Sequence, residues 1–584
     1  MLIVPSYLQP RCRPSGNAVN QLIPASAPRG SWSFPAVSSG LTAWSSPFPR
    51  RLTRSSSRRR STIYIYLAMR PFLSRAPATL LRECLLVRGS SGNARVVALR
   101  GISRYHAAVS CPASDRRGTT ICALSSGHGK CGVAVVRISG SRSLEALKKM
   151  TSISKLEPRR AFLRKIRDPK TGEVIDNGLC LWFPGPHSFT GEDSVEFHVH
   201  GGPAILTRLM QALSRLQVHP AQPGEFTRRA FYNNKLDLTE VEGLADLIEA
   251  ETECQRKQAL LQADGILRKL YDSWRKVLSE SVASIEAYID FGEEDNIESD
   301  VMQSAHRALK QLMRDLEEHL ADGRRGEILR NGVRTVIVGE PNVGKSSLLN
   351  RLVQRNAAIV TPIAGTTRDV IELTANISGY PVLIADTAGI TEDTGDIVEV
   401  EGVRRARSHA ENADFVIVVV DAFKCATSGM TYEDYIREYL SSLGMQELLA
   451  KLGGERFVVI ANKRDLLKEE EERRLHGAEV VLISCRTEDG FQNLLRSLTE
   501  RFSNICGNPS AESPTISQAR HRNHLAQCLR HLRNYFELCA NEQHDVAIAA
   551  EEIHKAMREL GRITGHVSTN EILDIIFKNF CIGK

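Results

Sequence analysis

The stretch Gly339-Glu340-Pro341-Asn342-Val343-Gly344-Lys345-Ser346 decides how this chain reads. It fits Gly-x4-Gly-Lys-Ser/Thr. The apolar run Val336-Ile337-Val338 precedes it, and Ser347-Leu348-Leu349-Asn350-Arg351-Leu352-Val353, apolar at helical spacing, follows. Strand, glycine loop and helix are the context in which this pattern becomes a phosphate site. Its glycines let backbone N–H groups turn inward around phosphate oxygens, and the helix N-terminus adds partial positive charge. Asn342, Val343, Gly344 and Ser347 belong to that cradle, Lys345 reaches the β and γ phosphates, and the Ser346 hydroxyl binds Mg2+.

Four further motifs follow in the order a GTPase needs. Thr361-Pro362-Ile363-Ala364-Gly365-Thr366-Thr367-Arg368-Asp369 reads as a switch loop, with Thr367 completing the Mg2+ shell. Val382-Leu383-Ile384-Ala385 reads as a strand delivering Asp386-Thr387-Ala388-Gly389, whose Asp386 holds the metal through water. Phe457-Val458-Val459-Ile460 leads to Asn462-Lys463-Arg464-Asp465. There a carboxylate accepts from both N1–H and the exocyclic amine of guanine, a pair adenine lacks, so Asp465 argues for GTP over ATP. Val480-Val481-Leu482-Ile483 then reaches Ser484-Cys485-Arg486, the backbone contact to guanine O6.

One position says how hydrolysis must run. Ras-like proteins place a water-orienting glutamine after Asp-x-x-Gly, and here Ile390 stands there. Asn342 and the 361–366 loop offer oxygens for a monovalent cation beside the phosphates. The acids Glu392, Asp393, Asp396, Glu399 and Glu401 offer a water-positioning carboxylate, or simply a solvated switch loop.

A chain of 584 residues exceeds one core, and about 150 residues per domain suggests three or four domains. The 13 cysteines are scattered without zinc-type spacing and read as reduced intracellular thiols. The net charge of +8 is concentrated at the start: Met1–Arg82 holds twelve arginines, no lysine and no acid. Arg-rich, Ser-rich and acid-poor describes an organelle transit peptide; a basic arm for nucleic acid is the other reading. Met69-Arg70-Pro71-Phe72-Leu73-Ser74-Arg75 begins a second presequence-like stretch, so Met69 is an alternative start. No run of about 18 apolar residues suggests a membrane span.

Order is expected from residue 119, with the strand Val133–Gly140 and a second strand carrying Glu196, His198 and His200. The alternating histidines suggest a metal, but a third ligand is missing and a strand-end His-Gly-Gly turn explains them. Helical pattern begins at Thr239, expected to form a capping box with Glu242, continues through Ile289, and recurs over Met302–Leu320. After Gly507-Asn508-Pro509 it resumes near Ser517. The expected architecture is α/β plus α. Residues 1–118 are a leader and 119–236 an α/β domain. A helical bundle (237–332 and 506–584) is interrupted by an inserted P-loop GTPase domain (333–505). The terminal Cys581-Ile582-Gly583-Lys584 sits where a prenylation box would, with a poor residue choice, and reads better as part of a binding site.

Together these pieces resemble the MnmE (TrmE) family of tRNA-modification GTPases, in its mitochondrial form. The resemblance runs from about Thr120 to Lys584. It includes Ser188-Phe189-Thr190-Gly191-Glu192-Asp193, Pro223-Gly224-Glu225-Phe226, Asn234-Lys235-Leu236-Asp237-Leu238 and Phe580-Cys581-Ile582-Gly583-Lys584. It implies a dimerising, folate-binding N-terminal domain in which Arg137, Glu196, Lys235 and Lys584 contact a tetrahydrofolate, in its 5,10-methylene or 5-formyl form. It also implies K+ held by Asn342, Thr361, Ile363 and Thr366, and Mg2+ held by Ser346 and Thr367. Glu399 matches the water-orienting glutamate, although the segment after Gly389 is one residue longer, which leaves Glu401 open. Cys131 and Pro362 replace commoner family residues. Family members act as homodimers in the mitochondrial matrix or in bacteria. With an FAD-dependent MnmG (GidA)-type partner they build an aminomethyl-type group on C5 of the tRNA wobble uridine. In mitochondria the amine is taurine or glycine, and Cys581 is a candidate nucleophile or a structural thiol. The competing reading is an RNA-binding GTPase of the Era or Der kind that assists ribosome assembly.

Overall fold

The computed structural model describes residues 118–291, 299–355, 372–385, 409–475, 480–540, 546–567 and 570–578, with Phe580 and Gly583. The expected leader therefore lies outside the described residues.

The first domain is a six-stranded sheet: β1 (Ile121–Leu124), β2 (Cys131–Ser139), β3 (Phe162–Arg167), β4 (Val174–Phe183), β5 (Ser194–Gly201) and β6 (His219–Pro220). Its order is β3-β4-β5-β2-β1-β6, antiparallel except for the short β1–β6 pairing. Successive side chains of a strand point to opposite faces. In β2, Val136 and Ile138 accordingly enter the core while Arg137 points the other way. The helices Ser143–Thr151 and Pro203–Arg215 cover the apolar face with Leu147, Met150, Leu209 and Leu213. Arg137 lies directly beside Glu196 of β5 on the opposite face.

Helices from before and after the GTPase domain share one core. Tyr271, Leu278, Leu309 and Leu316 of the helices Ile266–Phe291 and Ser299–Leu320 pack with residues from beyond the GTPase domain. Those are Leu525, Leu532, Ile553 and Leu560, on Ala519–Ala540 and Val546–Thr564. A buried polar joint adds to it: Glu242 accepts from Arg520 at 3.0–3.1 Å and pairs with His521 at 2.7 Å.

Two sequence expectations need correction here. The helix Leu238–Glu249 is capped by Asp237, not Thr239: Asp237 accepts from the Glu240 N–H at 2.8 Å, and Glu240 accepts from the Asp237 N–H at 2.8 Å. Thr239 gives its hydroxyl to Asp237 instead, and Glu242 is taken by Arg520 and His521. The last helix, Asn570–Lys578, stands apart from the main bundle core: Leu573 and Phe577 share a smaller core with Leu238 and Val241 of the helix Leu238–Glu249. It also reaches the first domain, where Arg228 pairs with Asp574 at 2.7 Å and lies 5.1 Å from the Phe577 ring centroid.

The inserted domain holds β7 (Val333–Val338), β8 (Glu372–Ile377), β9 (Tyr380–Ala385), β10 (Phe415–Asp421), β11 (Phe457–Asn462) and β12 (Val480–Leu482). The sheet order is β12-β11-β10-β7-β9-β8, parallel except for β8. Parallel sheets are covered on both faces and read as continuous apolar strands, and all seven residues of β10 are buried. This topology gathers the ends of β7, β10, β11 and β12 along one edge.

Candidate functional site

The phosphate loop leaves β7 and enters the helix Lys345–Arg355. Gly339 and Gly344 are irreplaceable on steric grounds. A Cβ on Gly339 would meet the Val419 carbonyl at 2.4 Å, and one on Gly344 the Asn462 amide at 2.2 Å. Asn342 takes a left-handed conformation (φ 62), which a short polar side chain tolerates. The Lys345 ammonium donates to the carbonyls of Gly339 and Glu340 at 2.9 and 2.8 Å. Burial lowers its pKa, against the pull of Glu340. Ser346 and Ser347 stand exposed on the first turn, where a metal-bearing polyphosphate would sit.

Asn462 ties the phosphate loop to the base loops: its amide donates to the Val343 carbonyl at 2.8 Å and its oxygen accepts from the Cys485 N–H at 3.0 Å. Ser484 donates to Asp465 at 2.6 Å, holding that carboxylate in place. Lys463 (φ 70) sends its ammonium to Asp421 at 2.7 Å, and Arg486 lies 3.9 Å from Asp465. The structure thus brings together Asn342, Val343, Gly344, Lys345, Asn462, Lys463, Asp465, Ser484, Cys485 and Arg486. Thr361, Ile363, Gly365, Thr366, Thr367, Asp386, Thr387, Ala388, Gly389, Glu399 and Glu401 lie outside the described residues. With them lie most of the expected Mg2+ and K+ ligands.

Sequence reasoning missed two supports. The Tyr439 hydroxyl accepts from the Glu340 N–H at 2.7 Å and donates to the Val419 carbonyl at 2.9 Å, fixing the entry to the phosphate loop. Nothing in an amphipathic helix marks such a tyrosine. Asp421 was legible in principle, as the acid ending a strand of valines.

A second polar site lies on the first domain. Arg137 pairs with Glu196 at 3.1 Å, and its guanidinium sits 5.4 and 5.9 Å from the ring centroids of Phe189 and Phe226. The other Glu196 oxygen meets His198 Nε2 at 3.2 Å. Burial raises the Glu196 pKa, but His198 and Arg137 outweigh it and the carboxylate is held below its ordinary range. Lys235 does not join this pair; it donates to the Pro186 carbonyl at 3.2 Å, on the loop that carries Phe189. That loop is braced by Ser139, which meets Thr190 and Glu192 at 2.7 Å, and by Arg229, 2.9 Å from Glu192. His200 turns to Asp176 at 2.9 Å, and no metal-holding group of three His, Cys, Asp or Glu exists among the described residues.

The chain's end closes on this domain. Ser125 donates to the Gly583 carbonyl at 2.9 Å, and a Cβ on Gly583 would meet the Leu124 carbonyl at 2.0 Å. Leu124 adjoins Ala123, which pairs with Arg137 across β1 and β2. Cys581 and Lys584 themselves lie outside the described residues.

Fold and site define a P-loop GTP-binding domain inserted in a helical bundle, behind an α/β domain with its own polar site. Residues 120–235 match the family described as GTP-binding protein TrmE N-terminus, and residues 238–581 match the MnmE helical domain. The chain belongs to the MnmE (TrmE) family. It is 50% identical over 474 residues to the mitochondrial 5-taurinomethyluridine-[tRNA] synthase subunit GTPB3 of Danio rerio, across 80% of this chain and 93% of that protein. The Homo sapiens protein of the same name is 47% identical over 472 residues, covering 80% of this chain and 94% of its own. The tRNA modification GTPase MnmE of Rickettsia bellii (strain RML369-C) is 44% identical over 470 residues, 80% of this chain and 100% of that one.

Proposed function

We propose that this chain hydrolyses GTP to drive modification of the wobble uridine of mitochondrial tRNAs. It would act in the matrix, as a homodimer with an FAD-dependent MnmG (GidA)-type partner. The product is an aminomethyl-type group on C5, taurinomethyl on the pattern of the Danio rerio and Homo sapiens relatives' names, with carboxymethylaminomethyl the other form. The observation that carries the reading is the pairing of two sites in one chain: a phosphate loop tied by Asn462 to the loops of Asp465 and Ser484, and a carboxylate–guanidinium pair near which the C-terminal segment docks.

The first site's chemistry follows from its residues. Asp465, held by Ser484, selects guanine, and Lys345 exchanges two backbone carbonyls for phosphate oxygens. Ser346 with Thr367 and Asp386 would hold Mg2+, which neutralises charge on the phosphates. Asn342, Thr361, Ile363 and Thr366 would hold K+, and Glu399 or Glu401 would orient water in place of the glutamine that Ile390 displaces.

The second site fits a tetrahydrofolate. Glu196 offers acceptors to pterin amines, and Arg137, Lys235 and Lys584 offer cations to a glutamate tail. When bound, that group would supply a one-carbon unit, and on the family's pattern Cys581, two residues before Gly583 in sequence, would line the same site. The ribosome-assembly alternative has no use for this second site, and family membership does not favour it. Equilibrium dialysis of 5-formyl-tetrahydrofolate against the full chain tests the reading. Glu196→Gln and Arg137→Gln should each weaken binding about tenfold or more. Equal binding by wild type and both variants would withdraw the folate assignment.

A further inference from the structure

The helix that follows the phosphate loop is fastened to the loop that faces the base. Arg351, nearly two turns into the helix Lys345–Arg355, donates from Nε to the Cys485 carbonyl at 3.3 Å and from Nη1 to the Glu488 carboxylate at 2.5 Å. The two side chains are 36% and 32% exposed, so water screens the pair only in part. Glu488 has φ 67, in the left-handed region that glycine enters freely and a side chain resists. Its N–H donates to the Ser484 carbonyl at 2.8 Å, and the Ser484 N–H to the Asp489 carbonyl at 3.0 Å. The strained residue therefore closes the turn that carries Ser484, Cys485 and Arg486, and its carboxylate points back to the phosphate-loop helix.

We propose that Arg351 and Glu488 are positioning residues for guanine-nucleotide binding, holding the 484–488 loop in register with the phosphate loop. The proposal rests on the GTPase reading and adds to it a device outside the nucleotide motifs. An arginine fork that grips a carboxylate and a carbonyl at once fixes both distance and orientation. Asn462 already joins the Val343 carbonyl to the Cys485 N–H, so Arg351 supplies a second tie between the same two loops. With that tie cut, the loop rocks, its N–H groups meet guanine O6 for less of the time, and nucleotide leaves sooner. A plain surface ion pair would act only on stability, and weakly.

The test uses the full chain and the release of mant-GDP, a fluorescent nucleotide. Arg351→Gln and Glu488→Gly should each release it about three- to tenfold faster, with KM for GTP raised by a similar factor and kcat not lowered. Arg351→Lys, which keeps the charge but not the fork, should fall between. Glu488→Gly separates positioning from stability: glycine relieves the left-handed strain, so its melting temperature should equal or exceed wild type while release still quickens. Wild-type release from both Arg351→Gln and Glu488→Gly overturns the proposal, as does faster release seen only alongside a lowered melting temperature in both. A wild-type chain that does not bind mant-GDP overturns the nucleotide reading and this proposal with it.

Discussion

On the proposed reading Asp465 makes the choice of base, and its surroundings suit a carboxylate in that role. Ser484 donates to one oxygen at 2.6 Å, which fixes the group without neutralising it and keeps acceptors available for two guanine donors. Asp465→Asn replaces an acceptor by an amide donor. Affinity for GTP should fall by about two orders of magnitude, while XTP, with an oxygen at C2, should gain. Competition against mant-GDP reads both changes, and unchanged GTP affinity would contradict the assignment. Lys345, Asn462 and Asp465 were legible from sequence because ligand chemistry dictates their type and their place at strand ends. Tyr439 was not, because a tyrosine on an amphipathic helix serves the core equally well; only its hydroxyl, between the Glu340 N–H and the Val419 carbonyl, gives it a role. At Lys235 the motif was visible, but its contact with the Pro186 carbonyl, 49 residues upstream, was not.

At the scale of elements, the last helix and the tail beyond it join the two ends of the chain, as the resemblance implied for Lys584 but no local pattern showed for the helix. Periodicity marks Asn570–Lys578 as amphipathic but cannot say which domain receives its apolar side. Phe577 answers that: fully buried in one cluster with Leu238 and Val241 and lying under Arg228, it bridges the helix Leu238–Glu249 and the first domain. The same limit explains the cap at residue 237, since Asp237 and Thr239 both suit the position and only backbone geometry separates them (φ −92, ψ 178 at Asp237). The tail's docking makes a steric prediction. Gly583 has φ 102 and no room for a Cβ, so Gly583→Ala should lift the tail from Leu124 and Ser125. Affinity for 5-formyl-tetrahydrofolate should drop at least fivefold, while mant-GDP binding, in a separate domain, stays at the wild-type value. Equal losses at both sites would mean general unfolding and would refute a local role for the tail.

For the whole molecule, the bundle that spans the insertion should lose stability in acid through a buried histidine. His319 and His521 lie near Tyr271, with ring centroids 6.0 Å from it in each case, and Glu242 reaches His521. Burial pushes His319 down to about 4, with Asp322 pulling the other way. A histidine depressed on folding gives its full share of stability above its unfolded value of 6.5 and loses it as pH falls towards 4. Asp237 and Asp246, raised to about 6 by burial, act oppositely and gain as pH falls. The clean readout is thus a difference: His319→Leu should reduce the stability lost between pH 7 and 5 by roughly 2 kcal/mol, measured by urea unfolding at each pH. An unchanged slope would mean that His319 titrates as a solvated residue. The insertion was legible because helical periodicity stops and resumes around the nucleotide motifs, whereas the Glu242–Arg520–His521 joint crosses 278 residues of sequence and leaves no local mark. Both proposed sites serve one product, the modified wobble uridine, so tRNA itself gives the most direct test. Nucleoside mass spectrometry of mitochondrial tRNA would compare cells lacking this protein with cells given back wild type or Lys345→Ala. The account predicts that the C5-modified wobble uridine disappears and returns only with wild type; a modification that persists without the protein, or returns in full with Lys345→Ala, would contradict it.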